Sequence, residues 1–183
     1  MKKIIAIALL ISTFSACVRK TDEDPLLSFR SRKDRVIGSW HAKSGTILIE
    51  SPTWSETYTI NGSTFIYANP SGSVSGTGVT TFVFERKGNC SITINFGGYI
   101  NNITGTWNLT GGIGEHKNKS EIAVHAVTIT DGSGTSTFEG NDYSVTYEIL
   151  ELKHKEMKLK LTYKRTDSST QYIKYIENWT LVQ

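Results

Sequence analysis

The residues able to do chemistry in this chain are few: two cysteines, four histidines and a scatter of carboxylates. The histidines are His41, His116, His125 and His154. None pairs with another at metal-ligand spacing and there is no cysteine cluster, so no metal site is expected. His125 reads as a hydrogen-bonded wall residue of a strand. Asp131-Gly132-Ser133-Gly134 supplies oxygens, but in the order of a turn and not of a calcium loop. No Gly-x-Ser-x-Gly elbow or phosphate-cradling loop occurs. Two strand-end carboxylates meeting in space would leave no trace in sequence order. No motif points to an enzyme, a metal or a cofactor. Cys90 follows Arg86-Lys87-Gly88-Asn89, and two nearby cations can lower a thiol pKa. No catalytic His or Asn can be assigned to it, and the simpler reading is a small strand residue without chemistry.

The other cysteine has a clearer chemistry. Met1-Lys2-Lys3 is a short positive start, and Ile4 to Phe14 is apolar apart from Ser12 and Thr13. That run is about half the roughly 20 residues a spanning helix needs, so it reads as a signal-peptide core. It ends in Phe14-Ser15-Ala16-Cys17. Small residues followed directly by Cys resemble a lipobox, with Phe14 where Leu is usual. The thiol would carry diacylglycerol and become the new N-terminus, leaving residues 1–16 as signal. Two or three acyl chains at one site anchor stably where one is marginal. Val18 after the cysteine leans toward the outer membrane. Thr21-Asp22-Glu23-Asp24 resembles the surface-export signals of Bacteroidota lipoproteins, or is simply a solvated tether within residues 17–23. The expected location is therefore the bacterial cell envelope, on its periplasmic or outer face.

Removing that signal changes the charge. The chain has 20 Lys+Arg and 17 Asp+Glu; Lys2 and Lys3 leave, so 18 bases face 17 acids. A near-neutral chain gives no reason to invoke nucleic acid. The remaining 167 residues fit one domain, taken as 24–183. With Cys17 lipidated, Cys90 has no disulfide partner.

Period-two alternation between turn signals dominates this domain, so the expected class is all-β. Asp24-Pro25 marks the start of a short helix able to plug one end of a barrel. Strands are expected over 36–50, bent near Gly45, and over 56–68 as a hairpin around Asn61-Gly62. Further strands are expected over 79–86, 91–96, about 103–109, 121–130, 143–149, 157–164 and 171–182. Residues 69–78, 110–119 and 131–142 read as loops. A frame shift at Leu150 marks a bulge. Sequential pairing gives an antiparallel up-and-down barrel, with a two-sheet β-sandwich as the alternative. Trp54 falls in a loop, where it either stacks on a sugar at a barrel mouth or folds back onto the wall. Tyr143, Tyr147, Tyr163 and Tyr175 alternate as interior residues. They suit an amphipathic ligand, or simply fill a small barrel.

Three segments echo one another: Gly38-Ser39-Trp40, Gly105-Thr106-Trp107 and Glu177-Asn178-Trp179. Gly allows close approach, and Trp two residues on shares its strand face and fills the core. If the last strand closes on the first, Trp40 and Trp179 meet near one end. Gly-x-Trp on the first strand after a short helix resembles the lipocalin fold, as does Asn141-Asp142-Tyr143 about a hundred residues later. With the lipobox, the stretch Asp24 to Lys33 and the closing Asn178-Trp179-Thr180-Leu181, the chain resembles lipocalin-like lipoproteins of Bacteroidota over about residues 24–183. The resemblance implies a barrel far more than an activity. Two functions follow from it. One is a carrier or sensor binding a small apolar or amphipathic molecule or a glycan. The other is a structural module contacting an envelope protein, with no small ligand.

Cys17→Ser removes the only sulfur at the lipobox. Metabolic labelling with a radioactive fatty acid should mark the natural chain and not this variant, which should leave the membrane fraction. Label retained in the variant would refute lipidation at Cys17.

Overall fold

The computed structural model describes residues 31–96, 99–111, 120–131, 134–137, 143–168 and 171–183. The signal segment, Cys17, the acidic run and the Asp24-Pro25 helix start lie outside the described residues. The first described element is instead a single helical turn, α1 (Arg32–Val36), whose cap is Ser31. The Ser31 hydroxyl accepts from the Asp34 amide at 3.1 Å, satisfying one of the free amides of a helix start.

Eleven strands follow: β1 Gly38–Glu50, β2 Ser55–Asn61, β3 Thr64–Asn69, β4 Gly72–Phe84, β5 Asn89–Phe96, β6 Tyr99–Gly111, β7 Ser120–Asp131, β8 Gly134–Thr137, β9 Ser144–Leu152, β10 Glu156–Ser168 and β11 Gln171–Val182. Neighbours pair antiparallel, β1 pairs β11, and β6 pairs β7. The sheet therefore closes into a barrel of ten strands, with β8 a flap on β7. Closure removes the sandwich alternative and the open edges a sandwich would carry.

One strand organises this closure. The start of β1 pairs directly with β4, Trp40 opposite Phe82. Its second half pairs instead with β2, Ile47 opposite Tyr58. The β2–β3 hairpin is thus wedged into the fork between β1 and β4. Its tip is Gly62-Ser63, with Gly62 at φ 59° as a glycine-first turn requires. The Gly62 amide donates to Lys43 O and the Gly78 amide to Ser63 O, both at 2.9 Å. Eight strands circle the barrel below the wedge and ten above it. Girth grows with strand number, so the upper end is the wider one.

A bulge between Ala42 and Ser44 flips the parity of β1 at the fork. Trp40 and Ala42 face inward before it; Gly45, Ile47 and Ile49 face inward after it. Gly45 then sits opposite Trp179, and a Cβ there would overlap the indole ring. The expected bulge at Leu150 is also present, where β9 slips against β10 between the Lys158 and Leu159 pairs.

The narrow end is plugged and packed. Trp40, Trp107, Met157, Leu152 and Leu181 are almost wholly buried there. The Trp40 Nε1 donates to Val36 O at 2.8 Å, tying the first strand to α1. Arg35 donates to Leu152 O at 2.7 Å, and Lys33 lies 5.7 Å from the centre of the Trp107 ring. Trp40 and Trp179 do not meet as the closure argument expects, because Trp179 stands at Gly45, above the bulge. Residues 72–78 are strand, not loop: their pairing with β3 from Asn69–Gly72 to Thr64–Thr77 overrides a Gly/Ser/Thr-rich composition. Likewise Gly134–Thr137 pairs with β7 inside an expected loop.

Trp40→Ala should lower stability by ~3–5 kcal/mol, the usual cost of truncating a buried Trp. Gly45→Ala should cost ~1–3 kcal/mol through overpacking against Trp179. Denaturant midpoints measure both. An unchanged midpoint for either would remove that residue from the core.

Candidate functional site

The interior changes character along the barrel axis. Below the fork it is apolar and aromatic. The Phe82 ring lies 5.9 Å from Tyr147 and 5.6 Å from Trp179, both edge-on, so residues of β4, β9 and β11 meet across the lumen. That layer divides the plugged narrow end from the lining of the wide end.

One step above it on β11 stands Glu177, on the inward parity between Tyr175 and Trp179. Its Oε2 accepts from Trp179 Nε1 at 2.9 Å and from the Tyr147 hydroxyl at 3.2 Å. Desolvation by the apolar wall raises its pKa above the ordinary 4.5, outweighing the two donors that favour the charged form. Burial, and then the charge on Glu177, also push the Tyr147 hydroxyl well upward.

Tyr175, Tyr163 and Tyr143 continue the lining toward the wide end. Tyr163 and Tyr175 are directly paired, with ring centres 6.2 Å apart. Burial first, and then the neighbouring Tyr163, Glu177 and Tyr175, raise the Tyr143 hydroxyl. Further round the wall, on β2, β3 and β5, Tyr58, Tyr67, Phe65 and Phe96 form a second aromatic cluster, with Tyr58 and Tyr67 centred 4.9 Å apart. On β4, one step above Phe82, Thr80 faces inward at 4 % exposure, and its hydroxyl has no partner among the described residues. Asn101 Oδ1, on the inward parity of β6, is likewise buried and unpartnered.

The structure thus brings four of the expected residues together: Tyr143, Tyr147, Tyr163 and Tyr175. Trp54 lies in the β1–β2 turn at the wide end and is 41 % exposed. It stands apart from the tyrosine cluster in sequence and shares only its end of the barrel. Gly38, Trp40, Gly105 and Trp107 are framework. A Cβ on Gly105 would collide with His125 O, so only glycine fits beside the β6–β7 irregularity.

Other candidate chemistry recedes. Cys90 is buried in the core, and desolvation pushes its thiol up to about 11. Arg86 and Lys87 do not lower it, and the reading of Cys90 as a strand residue without chemistry stands. His125 Nδ1 bonds Ser144 Oγ at 2.7 Å on the outer wall. No group of three His, Cys, Asp or Glu able to hold a metal occurs among the described residues. An open groove of about 280 Å³ crosses the outer wall at Thr46, Thr59, Lys158 and Asn178. Glu151, buried on the outer wall, is ion-paired with both Lys153 and Lys158. Glu177 has no such cation among the described side chains.

Sequence reasoning misses Glu177. The available signal is its parity: Ile173, Tyr175, Trp179 and Leu181 alternate inward, and Glu177 occupies the one intervening place on that face.

Because the folded pKa of Glu177 lies above its ordinary value, the native state holds this proton more tightly than the unfolded chain. Its contribution therefore lowers stability as pH rises from the ordinary 4.5 through the raised value. Glu177→Gln should flatten that decline. Urea midpoints across this interval test it, and parallel pH slopes in both proteins would show that Glu177 titrates alike folded and unfolded.

No protein-family model, curated protein or solved structure matches this chain.

Proposed function

We propose that this chain is a lipid-anchored envelope lipoprotein, akin to the lipocalin-like lipoproteins of Bacteroidota, whose barrel binds a small amphipathic molecule at its wide end. The observation that carries the reading is Glu177, a carboxylate set in the barrel wall among tyrosines and next to the aromatic layer. A barrel that serves only as packing fills its lumen with apolar side chains, as the narrow end here does. A buried polar atom without a compensating partner is costly, and Thr80 Oγ1 and Asn101 Oδ1 are two such atoms among the described residues of the inner wall. Ligand pockets are mostly apolar with a few convergent polar groups, and this lining has that composition. The outer wall favours water over hydrocarbon: Lys43, Lys158, Lys160 and Lys164 point outward along β1 and β10. Membrane attachment therefore falls to the lipid on Cys17.

The second reading is an interaction module that holds no ligand and contacts another envelope protein. Ile66 and Val79 favour it, at 50 % and 57 % exposure on the outer wall of β3 and β4.

Native mass spectrometry of the full-length protein, purified gently from its own envelope, separates the two. A reproducible small-molecule adduct, lost on denaturation, is expected. A bare mass with the fold intact would refute the carrier reading and favour the module.

A further inference from the structure

The described inner wall of the upper strands carries acid and no base. Inward positions of the upper strands carry Glu177 and, nearer the rim, Glu56 opposite Ile49. No Lys, Arg or His occurs among the described inward side chains of the barrel strands; Arg165, opposite Ile173 near the end of β10, lies outside the described side chains. Glu177 is held by two neutral donors, Trp179 and Tyr147, and both spend their donors on the same oxygen, Oε2. Its carboxylate is therefore polarised toward the wall on one side, with no described cation on the other. The contrast with Glu151, which two lysines neutralise, is internal to the molecule.

The aromatic side chains around Glu177 have a matching preference. Ring faces attract cations, and clusters of such rings beside a carboxylate are the usual chemistry for holding an organic ammonium. Tyr143 lies close enough to Tyr163, Glu177 and Tyr175 for its hydroxyl to feel each of them; Tyr163 and Tyr175 are ring neighbours 6.2 Å apart, and Tyr175 is the next inward residue from Glu177 on β11. Thr80 Oγ1 and Asn101 Oδ1, which have no partner among the described residues, are acceptors on the inward faces of β4 and β6, and an ammonium needs acceptors. Among the described inner-wall side chains an anionic head meets the like charge of Glu177 and no cation.

We propose that the barrel is selective for a cationic amphiphile, an organic ammonium on an apolar tail, with Glu177 and the tyrosines Tyr143, Tyr163 and Tyr175 receiving the head group. This rests on the reading of the barrel as an amphiphile binder. The ammonium supplies the charge that the described wall withholds, and the tail lies against the aromatic cluster of Tyr58, Phe65 and Phe96.

The test is calorimetric titration of the full chain carrying Cys17→Ser with three probes of equal tail length: octylamine, octanol and octanoate. Octylamine should bind more tightly than octanol by about tenfold or more, with octanoate weakest. Glu177→Gln keeps an acceptor for Trp179 and Tyr147, and should erase the amine preference while octanol binding persists. Equal binding of all three probes, or a preference for octanoate, would overturn the cationic head-group site and leave the amphiphile reading intact. An amine preference that survives in Glu177→Gln would overturn the role of Glu177. Failure of all three probes to bind would overturn both readings. The ranking in the chain with Glu177 intact needs no second variant, so poor folding of Glu177→Gln cannot hide the answer.

Discussion

The barrel depends on a parity change in its first strand. A strand that keeps strict alternation can serve a partner on each side. β1 must serve three, because β4 leaves it at the fork and β2 replaces β4. The extra residue at Lys43-Ser44 makes that exchange and flips which residues face inward. Without it, Ile47 and Ile49 would face water and Thr46 and Leu48 the lumen. Gly45 is the first inward residue after the flip, and its missing side chain is the space Trp179 fills. Below this point the barrel is narrow, and tryptophans and α1 close it. Above it two more strands widen the wall, and the lining turns to tyrosine and glutamate.

Much of that is legible in the order of the amino acids. Long alternating segments such as Met157 to Tyr163 state their inward face outright, and β10 follows it. The bulge at Leu150 is visible because consecutive apolar residues break the alternation there. The bulge at Lys43 is harder to see: Ala42 and Gly45 are both small, so the flip leaves little trace in hydropathy. Residues 72–78 are illegible for another reason. They have few apolar side chains to alternate, and their strand comes from the ladder with β3, which sequence order does not display.

The candidate site is half legible. The tyrosines announce themselves by parity. Glu177 does not, since a charged residue on an apolar strand face is more often a rim or surface residue than a wall residue. The echo among the three Gly/Glu-x-Trp segments holds the clue. Each indole has a donor to satisfy. Trp40 gives it to Val36 O and Trp107 to Glu85 O, both backbone carbonyls near the plugged end. Trp179 sits in mid-barrel, where neighbouring carbonyls are committed to the β1 and β10 ladders. Its acceptor must be a side chain, and Glu177, two residues back on the same face, supplies it at 2.9 Å.

That structural duty does not by itself require a carboxylate. A glutamine would accept the same two hydrogen bonds without the desolvation cost that raises the Glu177 pKa. The position therefore carries a charge, or a titratable proton, beyond what packing demands. The direction of the barrel fits that surplus. The chain enters through α1 at the plugged end, so any tether preceding Ser31 attaches there. Under the proposed lipid anchor, attachment and binding site lie at opposite ends of the barrel. The tether then need not cross the wide end, where Glu177 and the tyrosines line the wall.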